Sequence, residues 1–120
     1  MAAYDRLLAD NIAAVRGRIA EAAEGSGRQA SDVTLVAVTK YVDVDVTRSL
    51  FEAGCETLGE SRPQAVWQKA ELMHDLPVVW HMIGHLQRNK IRRTLPYLEC
   101  VHSADSTRVL DALQQEALRL

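Results

Sequence analysis

The chain has 120 residues, enough for one ordinary core, and its 48% hydrophobic and 25% charged content is that of a folded chain, not a disordered one. A formal net charge of -2 gives no electrostatic footprint for a nucleic acid or an anionic membrane. No apolar run approaches the roughly 20 residues that span a bilayer, and the opening Met-Ala-Ala-Tyr-Asp-Arg lacks the charged-then-apolar layout of a secretion signal.

Leu8, Ile12, Val15 and Ile19 recur at helical spacing and predict an amphipathic helix near 4–24, ended by Gly25-Ser26-Gly27. Leu35-Val36-Ala37-Val38 is short, apolar and β-branched, and predicts a strand near 33–39 buried on both faces. Asp43 is placed to cap a helix carrying Val46, Leu50 and Phe51, with Gly54 closing it. A second strand is expected near 55–59. Ser61 and Gln64 have capping-box spacing ahead of a helix with Val66, Trp67, Ala70 and Met73, and Pro63 sits in its first turn. After Pro77 comes a third strand, Val78 to Ile83, broken by Gly84. A helix from Leu86 to Leu95 follows, then a fourth strand near 98–103 and a last helix after Asp105 bearing Leu110, Leu113 and Ala117.

Strand-then-helix units in succession mean parallel strands joined by crossovers. No linker or charge block interrupts them, so residues 1–120 are expected to form a single domain. A complete (β/α) barrel needs eight such units and roughly 200 residues or more. The fold expected is therefore α/β: a partial (β/α) barrel, or a small open parallel sheet, of four βα units preceded by an N-terminal helix.

The ends of the expected strands carry Lys40, Gly59-Glu60-Ser61, Gly84-His85 and His102-Ser103. In a barrel these converge on one mouth, where α/β proteins place their chemistry. Lys40 has two readings. It either reaches solvent, or lies against apolar walls that favour the neutral amine and lets that amine attack a carbonyl. Glu60 and His85 are candidate acid–base groups, or residues that hydrogen-bond the next helix. His81 and His85 have an i, i+4 spacing, but the strand-like surroundings and Gly84 argue against a helical metal pair. Cys55 and Cys100 read as buried small hydrophobes in a reducing compartment, not as a disulfide or a metal pair, and a cytoplasmic location is expected. Arg88, Lys90, Arg92 and Arg93 read as a solvated basic face, and Trp67 and Trp80 as core. No P-loop, dinucleotide fingerprint or nucleophile elbow is present.

Three blocks together resemble the pyridoxal phosphate homeostasis protein family (YggS/PROSC): Leu35-Val36-Ala37-Val38-Thr39-Lys40, Leu58-Gly59-Glu60-Ser61-Arg62-Pro63-Gln64 and Trp80-His81-Met82-Ile83-Gly84-His85-Leu86-Gln87-Arg88-Asn89-Lys90. His102-Ser103-Ala104-Asp105 resembles the family's fourth-strand segment. The resemblance covers essentially the whole chain and implies the N-terminal half of a barrel of the alanine-racemase N-terminal-domain type. It implies pyridoxal 5′-phosphate (PLP) as cofactor, bound through an internal aldimine to Lys40, with Ser61 and His85 as further cofactor-binding residues. It implies a role in vitamin B6 homeostasis without catalytic turnover. Two positions depart from the family pattern: Ser61 stands where asparagine is usual, and Arg88 where a small polar residue is commoner. In the family the cofactor phosphate is held after later strands, so PLP binding by this chain is expected to be weakened. A homodimer closing a barrel through the exposed half-barrel edges is a further expectation. The other readings are a PLP-dependent racemase-like enzyme, a fragment without function, and a partner-docking module.

Overall fold

The computed structural model describes residues 2–120, with side chains from Tyr4 onward. Helix α1 (Ala2–Gly25) ends where Gly27 takes a left-handed φ of 78°, a turn that lets the Arg28 amide donate back to the Ala23 carbonyl at 2.8 Å. Then come β1 (Ala37–Val38), α2 (Val44–Glu52), β2 (Thr57–Glu60), α3 (Pro63–Leu72), β3 (Val79–Met82), α4 (Arg88–Thr94), β4 (Leu98–Val101) and α5 (Thr107–Ala117). Short 3-10 turns lie at Ala30–Asp32 and Leu95–Tyr97. Asp43 caps α2 as expected, its carboxylate accepting from the Val46 amide at 3.0 Å, and Gly54 closes that helix with a φ of 107°. Ser106 caps α5 by accepting from the Val109 amide at 3.2 Å.

The four strands form one parallel sheet in the order β1-β2-β3-β4. Crossovers between parallel strands are right-handed as a rule, and when strand order follows chain order this keeps the helices on one face. The core reflects that. Leu58 and Trp80 pack with Ile12 of α1 and with Met73, just past the end of α3; Met82 packs with Val66 of α3 and with Leu86 and Ile91. Strand alternation turns the intervening residues to the other face, which carries no helix among the described residues. There a Cβ added at Gly59 would lie 3.0 Å from the Val36 side chain and 3.3 Å from that of Ile83, so these three positions form a row. The architecture is the partial (β/α) barrel expected from the sequence: an arc of sheet with one face covered and one bare.

The structure corrects four sequence expectations. The first strand has only two paired residues, and it is not buried on both faces: Val38 is 50% exposed. It lies at the sheet edge, and its odd-numbered neighbours Leu35 and Ala37 take the core side. Ser61 is not a helix cap. Pro63 occupies the first turn of α3, the N-cap falls on Arg62, and that residue makes no side-chain cap bond. Cys100 is half-buried rather than core, because a register shift in β4 turns it to the bare face. Trp67 is only half-buried. It donates from Nε1 to the Thr94 hydroxyl at 3.0 Å, with the Arg93 guanidinium 3.8 Å from its ring centre, so part of the basic face stacks on an indole.

Candidate functional site

All strands run the same way, so their carboxyl ends line one edge of the sheet. Lys40 follows β1 by two residues and has the parity of Val38, which puts it on the bare face. Its neighbour Thr39 has the opposite parity and is completely buried. Lys40 and Ser61 line the same cleft of about 440 Å3, together with Tyr41, Glu60, Arg62 and Ala65. His85 is exposed and lines an adjoining cleft of about 290 Å3, which shares Ser61 and Arg62 with the first. Ser61 thus stands between the other two candidates. The surroundings of Lys40 are mixed: Tyr41 and Ala65 line its cleft with Ser61 and Arg62, and Val42 and Val44 line a second cleft beside it. Lys40 is exposed, its Nζ lies 4.9 Å from the centre of the Tyr41 ring, and Tyr41 is itself 89% exposed.

What holds Lys40 in place is a buried polar network: Glu60 does hydrogen-bond the next helix, one of its two expected roles, through Lys69, which the sequence reading passed over. Glu60 has the parity of Leu58 and points toward the helices, where it is 1% exposed. Lys69 of α3, 7% exposed, meets it with an Nζ–carboxylate distance of 2.6 Å. The same ammonium donates to the carbonyls of Thr39 at 2.8 Å and Val42 at 2.9 Å, one on each side of Lys40. The Thr39 hydroxyl donates to the Glu60 carboxylate. Three donors on one ammonium, all used, satisfy a charge that could not otherwise be buried. The signal was available: Lys69 lies three residues after Val66 and four before Met73, inside the apolar stripe of its helix.

Gly84 closes the mouth between β2 and β3. A Cβ there would sit 2.1 Å from the Ser61 carbonyl oxygen, an overlap with backbone. The Ser103 hydroxyl donates to the Gly84 carbonyl and ties in the end of β4. On the bare face, His81 of β3 and His102 just after β4 meet through Nδ1 and Nε2 at 2.9 Å. Burial first, and then the adjacent His102, hold the His81 imidazolium below its ordinary pKa, with Glu99 opposing. Cys55 is buried, and that burial pushes its thiol pKa up while Arg16 opposes.

No protein-family model matches the chain. Among curated proteins, it is 38% identical over 114 residues to the pyridoxal phosphate homeostasis protein of Mycobacterium tuberculosis, covering 87% of this chain and 44% of the relative. Proteins of the same name from Pseudomonas aeruginosa and Escherichia coli are 37% and 32% identical, covering 91% of this chain and 47% and 48% of theirs. Among solved structures, PipY of Synechococcus elongatus with PLP bound superposes with a TM-score of 0.79 at 29% identity, over 93% of this chain and 49% of PipY. A protein of unknown function from Bifidobacterium adolescentis gives a TM-score of 0.82 at 31% identity, over 98% of this chain and 52% of its own. The chain spans about half the length of the relatives it matches. Over that span the chain is similar to the pyridoxal phosphate homeostasis proteins.

Proposed function

We propose that this chain binds PLP as part of cellular vitamin B6 homeostasis, holding it as a Schiff base on Lys40, and that it turns over no substrate of its own. The observation that carries the reading is the shared cleft: Lys40 and Ser61 face one opening, in a homologue of a protein whose structure has PLP bound. The residues present fit one end of the cofactor. PLP supplies an aldehyde, and Lys40 supplies an exposed amine that such an aldehyde can reach. Arg62 lines the same cleft and supplies a cation for an anionic group. The cleft volume of about 440 Å3 lies in the range of small-molecule sites, roughly 300–1,000 Å3. His85, one cleft away, serves as an outer contact on the side of Ser61.

The Lys69–Glu60 clamp keeps the segment from Thr39 to Val42 fixed, so the amine emerges from a rigid base although its side chain is exposed. A racemase-like reaction needs a second proton-transfer group facing Lys40. Glu60 is committed to Lys69, and Tyr41 is 89% exposed with its ring beside Lys40, which favours binding without turnover.

Affinity is weak in this reading, with Arg62 the cation that the cleft adds to Lys40 for a phosphate. The chain acts as one domain in the cytoplasm, where Cys55 and Cys100 remain free thiols. Two copies pair through the β1 and β4 edges and the bare face. A stable monomer in sedimentation at high concentration overturns the pairing.

The test of the cofactor assignment is borohydride trapping. Wild-type protein is incubated with PLP, reduced, digested and mapped by mass spectrometry. A pyridoxyl group on Lys40, absent from Lys40→Ala, is the expected result. A label on Lys69 or Lys90 alone, or equal labelling of the variant, refutes the assignment.

A further inference from the structure

The bare face of the sheet holds a second constellation, apart from the Lys40 cleft. His81, Cys100 and His102 each present a donor atom, and these atoms lie within 4.8 Å of one another. They come from adjacent parallel strands and their ends, which are rigid supports. Their meeting depends on one irregularity. Trp80 pairs with Leu98, but His81 pairs with Cys100 and Met82 with Val101, so β4 contributes one extra residue, Glu99. In regular register, strand alternation would place Cys100 opposite Met82 and turn it toward the helices. The extra residue rephases β4: Val101 takes the core side with Met82, while Cys100 and His102 join His81 on the bare face. Bulges of this kind are how strands re-aim side chains next to functional sites.

We propose that His81, Cys100 and His102 form a metal site that takes a divalent cation of the zinc class, through two imidazoles and one thiolate. The donor set suits such an ion, and three protein ligands leave a fourth position for water. His102 is exposed while His81 and Cys100 are half-buried, so the site is open to solvent on one side. The geometry is close to what coordination needs. With bonds of about 2.0–2.1 Å to nitrogen and about 2.3 Å to sulfur, tetrahedral ligands lie about 3.3 Å apart between nitrogens and about 3.6 Å between nitrogen and sulfur. The facing nitrogens, now 2.9 Å apart, must separate by about 0.4 Å, and the sulfur must move inward by no more than about 1.2 Å. Both are adjustments of side-chain torsions on a fixed backbone. On binding, the thiol gives its proton to solvent. The imidazole that carried its hydrogen on the facing nitrogen carries it on the other ring nitrogen instead, so one proton leaves per ion bound.

The experiment uses cobalt(II) as the probe and zinc(II) as its competitor, on the reduced 120-residue chain without PLP. Binding is followed by the thiolate-to-cobalt charge-transfer absorption in the near ultraviolet and the visible bands of tetrahedral cobalt. One cobalt per chain with both signatures, displaced by zinc, is expected. Cys100→Ser should abolish the charge-transfer band. His102→Ala, a change at an exposed position, should weaken affinity by more than about tenfold, the least that disturbing a metal ligand's surroundings commonly costs. His74→Ala, at an exposed histidine just past the end of α3, should bind as wild type. Cobalt binding without a thiolate band, or equal affinity in His102→Ala, overturns the proposal and leaves a plain histidine–histidine hydrogen bond. Neither result touches the Lys40 assignment, which the borohydride label reads separately.

Discussion

Replacing Lys69 by methionine tests what positions the site. The substitution keeps most of the side chain's apolar volume and removes the ammonium. Glu60, 1% exposed, then keeps the Thr39 hydroxyl as its donor among the described residues, the Val42 carbonyl loses the Lys69 ammonium, and the Thr39 carbonyl is left with the Val42 amide at 3.2 Å. Breaking a buried pair from one side costs about 3–5 kcal/mol, because it strands the remaining charge. A domain of this size holds on the order of 5–15 kcal/mol in total, so the loss is a large share of it. Urea unfolding followed by circular dichroism measures it directly, as a lower midpoint at unchanged slope. The companion variant Glu60→Gln removes the charge that Lys69→Met strands. The double variant should therefore be more stable than the sum of the singles, by a coupling of up to about 3 kcal/mol. The clamp also holds both sides of Lys40, so Lys69→Met should lower the yield of borohydride-trapped pyridoxyl protein even under conditions where it is folded. A cost below about 1 kcal/mol, the range of exposed ion pairs, would refute the reasoning and mean that Glu60 finds water or a proton in place of Lys69.

Other residues yield sharper, smaller tests. Gly84→Ala puts a Cβ 2.1 Å from the Ser61 carbonyl and should cost at least about 1–3 kcal/mol by forcing the ends of β2 and β3 apart, read as a drop in thermal midpoint. Asp43→Ala removes the cap bond to Val46 and should cost about 1 kcal/mol in urea unfolding, without changing PLP labelling per folded molecule. Alkylation of the native protein should modify Cys100 well before Cys55: Cys55 is 1% exposed and its burial raises the thiol pKa, so it holds less reactive thiolate at a given pH. Peptide mapping after partial iodoacetamide treatment checks the order, and simultaneous labelling of both cysteines would contradict the packing.

Local signals were legible where chemistry is local. Asp43 as a cap, Gly54 as a stop and the strand of Val79 to Met82 follow from side-chain hydrogen bonding, backbone freedom and β-branching within a few residues. Ser61 misled because capping-box spacing to Gln64 and a proline in the first turn both fit a helix capped at Ser61, whereas the helix starts one residue later, at Pro63 after an Arg62 N-cap. The Lys40–Ser61 cleft followed from topology, since strand ends of a parallel sheet share an edge. The three-residue cluster on the bare face did not. Its partners are set by which residue of β4 stands opposite His81, and that pairing is decided by packing against Met82 and Leu98 rather than by any pattern in Leu98-Glu99-Cys100-Val101-His102. Lys69 was hidden for a different reason: a lysine in an apolar stripe has meaning only when a carboxylate faces it, and Glu60 comes from another element.

The division between the sheet's two faces explains why so short a first strand can still present Lys40. Side-chain direction alternates with each residue, so sliding β1 by one position would send Thr39 to the bare face and drive Lys40 into the core. Two paired residues are a weak safeguard against that slip. The further constraint comes from beyond the strand. Thr39 is fixed by its amide to the Gly59 carbonyl at 2.9 Å, by its hydroxyl to Glu60, and by its own carbonyl to Lys69. Each of these bonds requires Thr39, and not Lys40, to face the helices. The buried lysine thus determines which way the exposed one points.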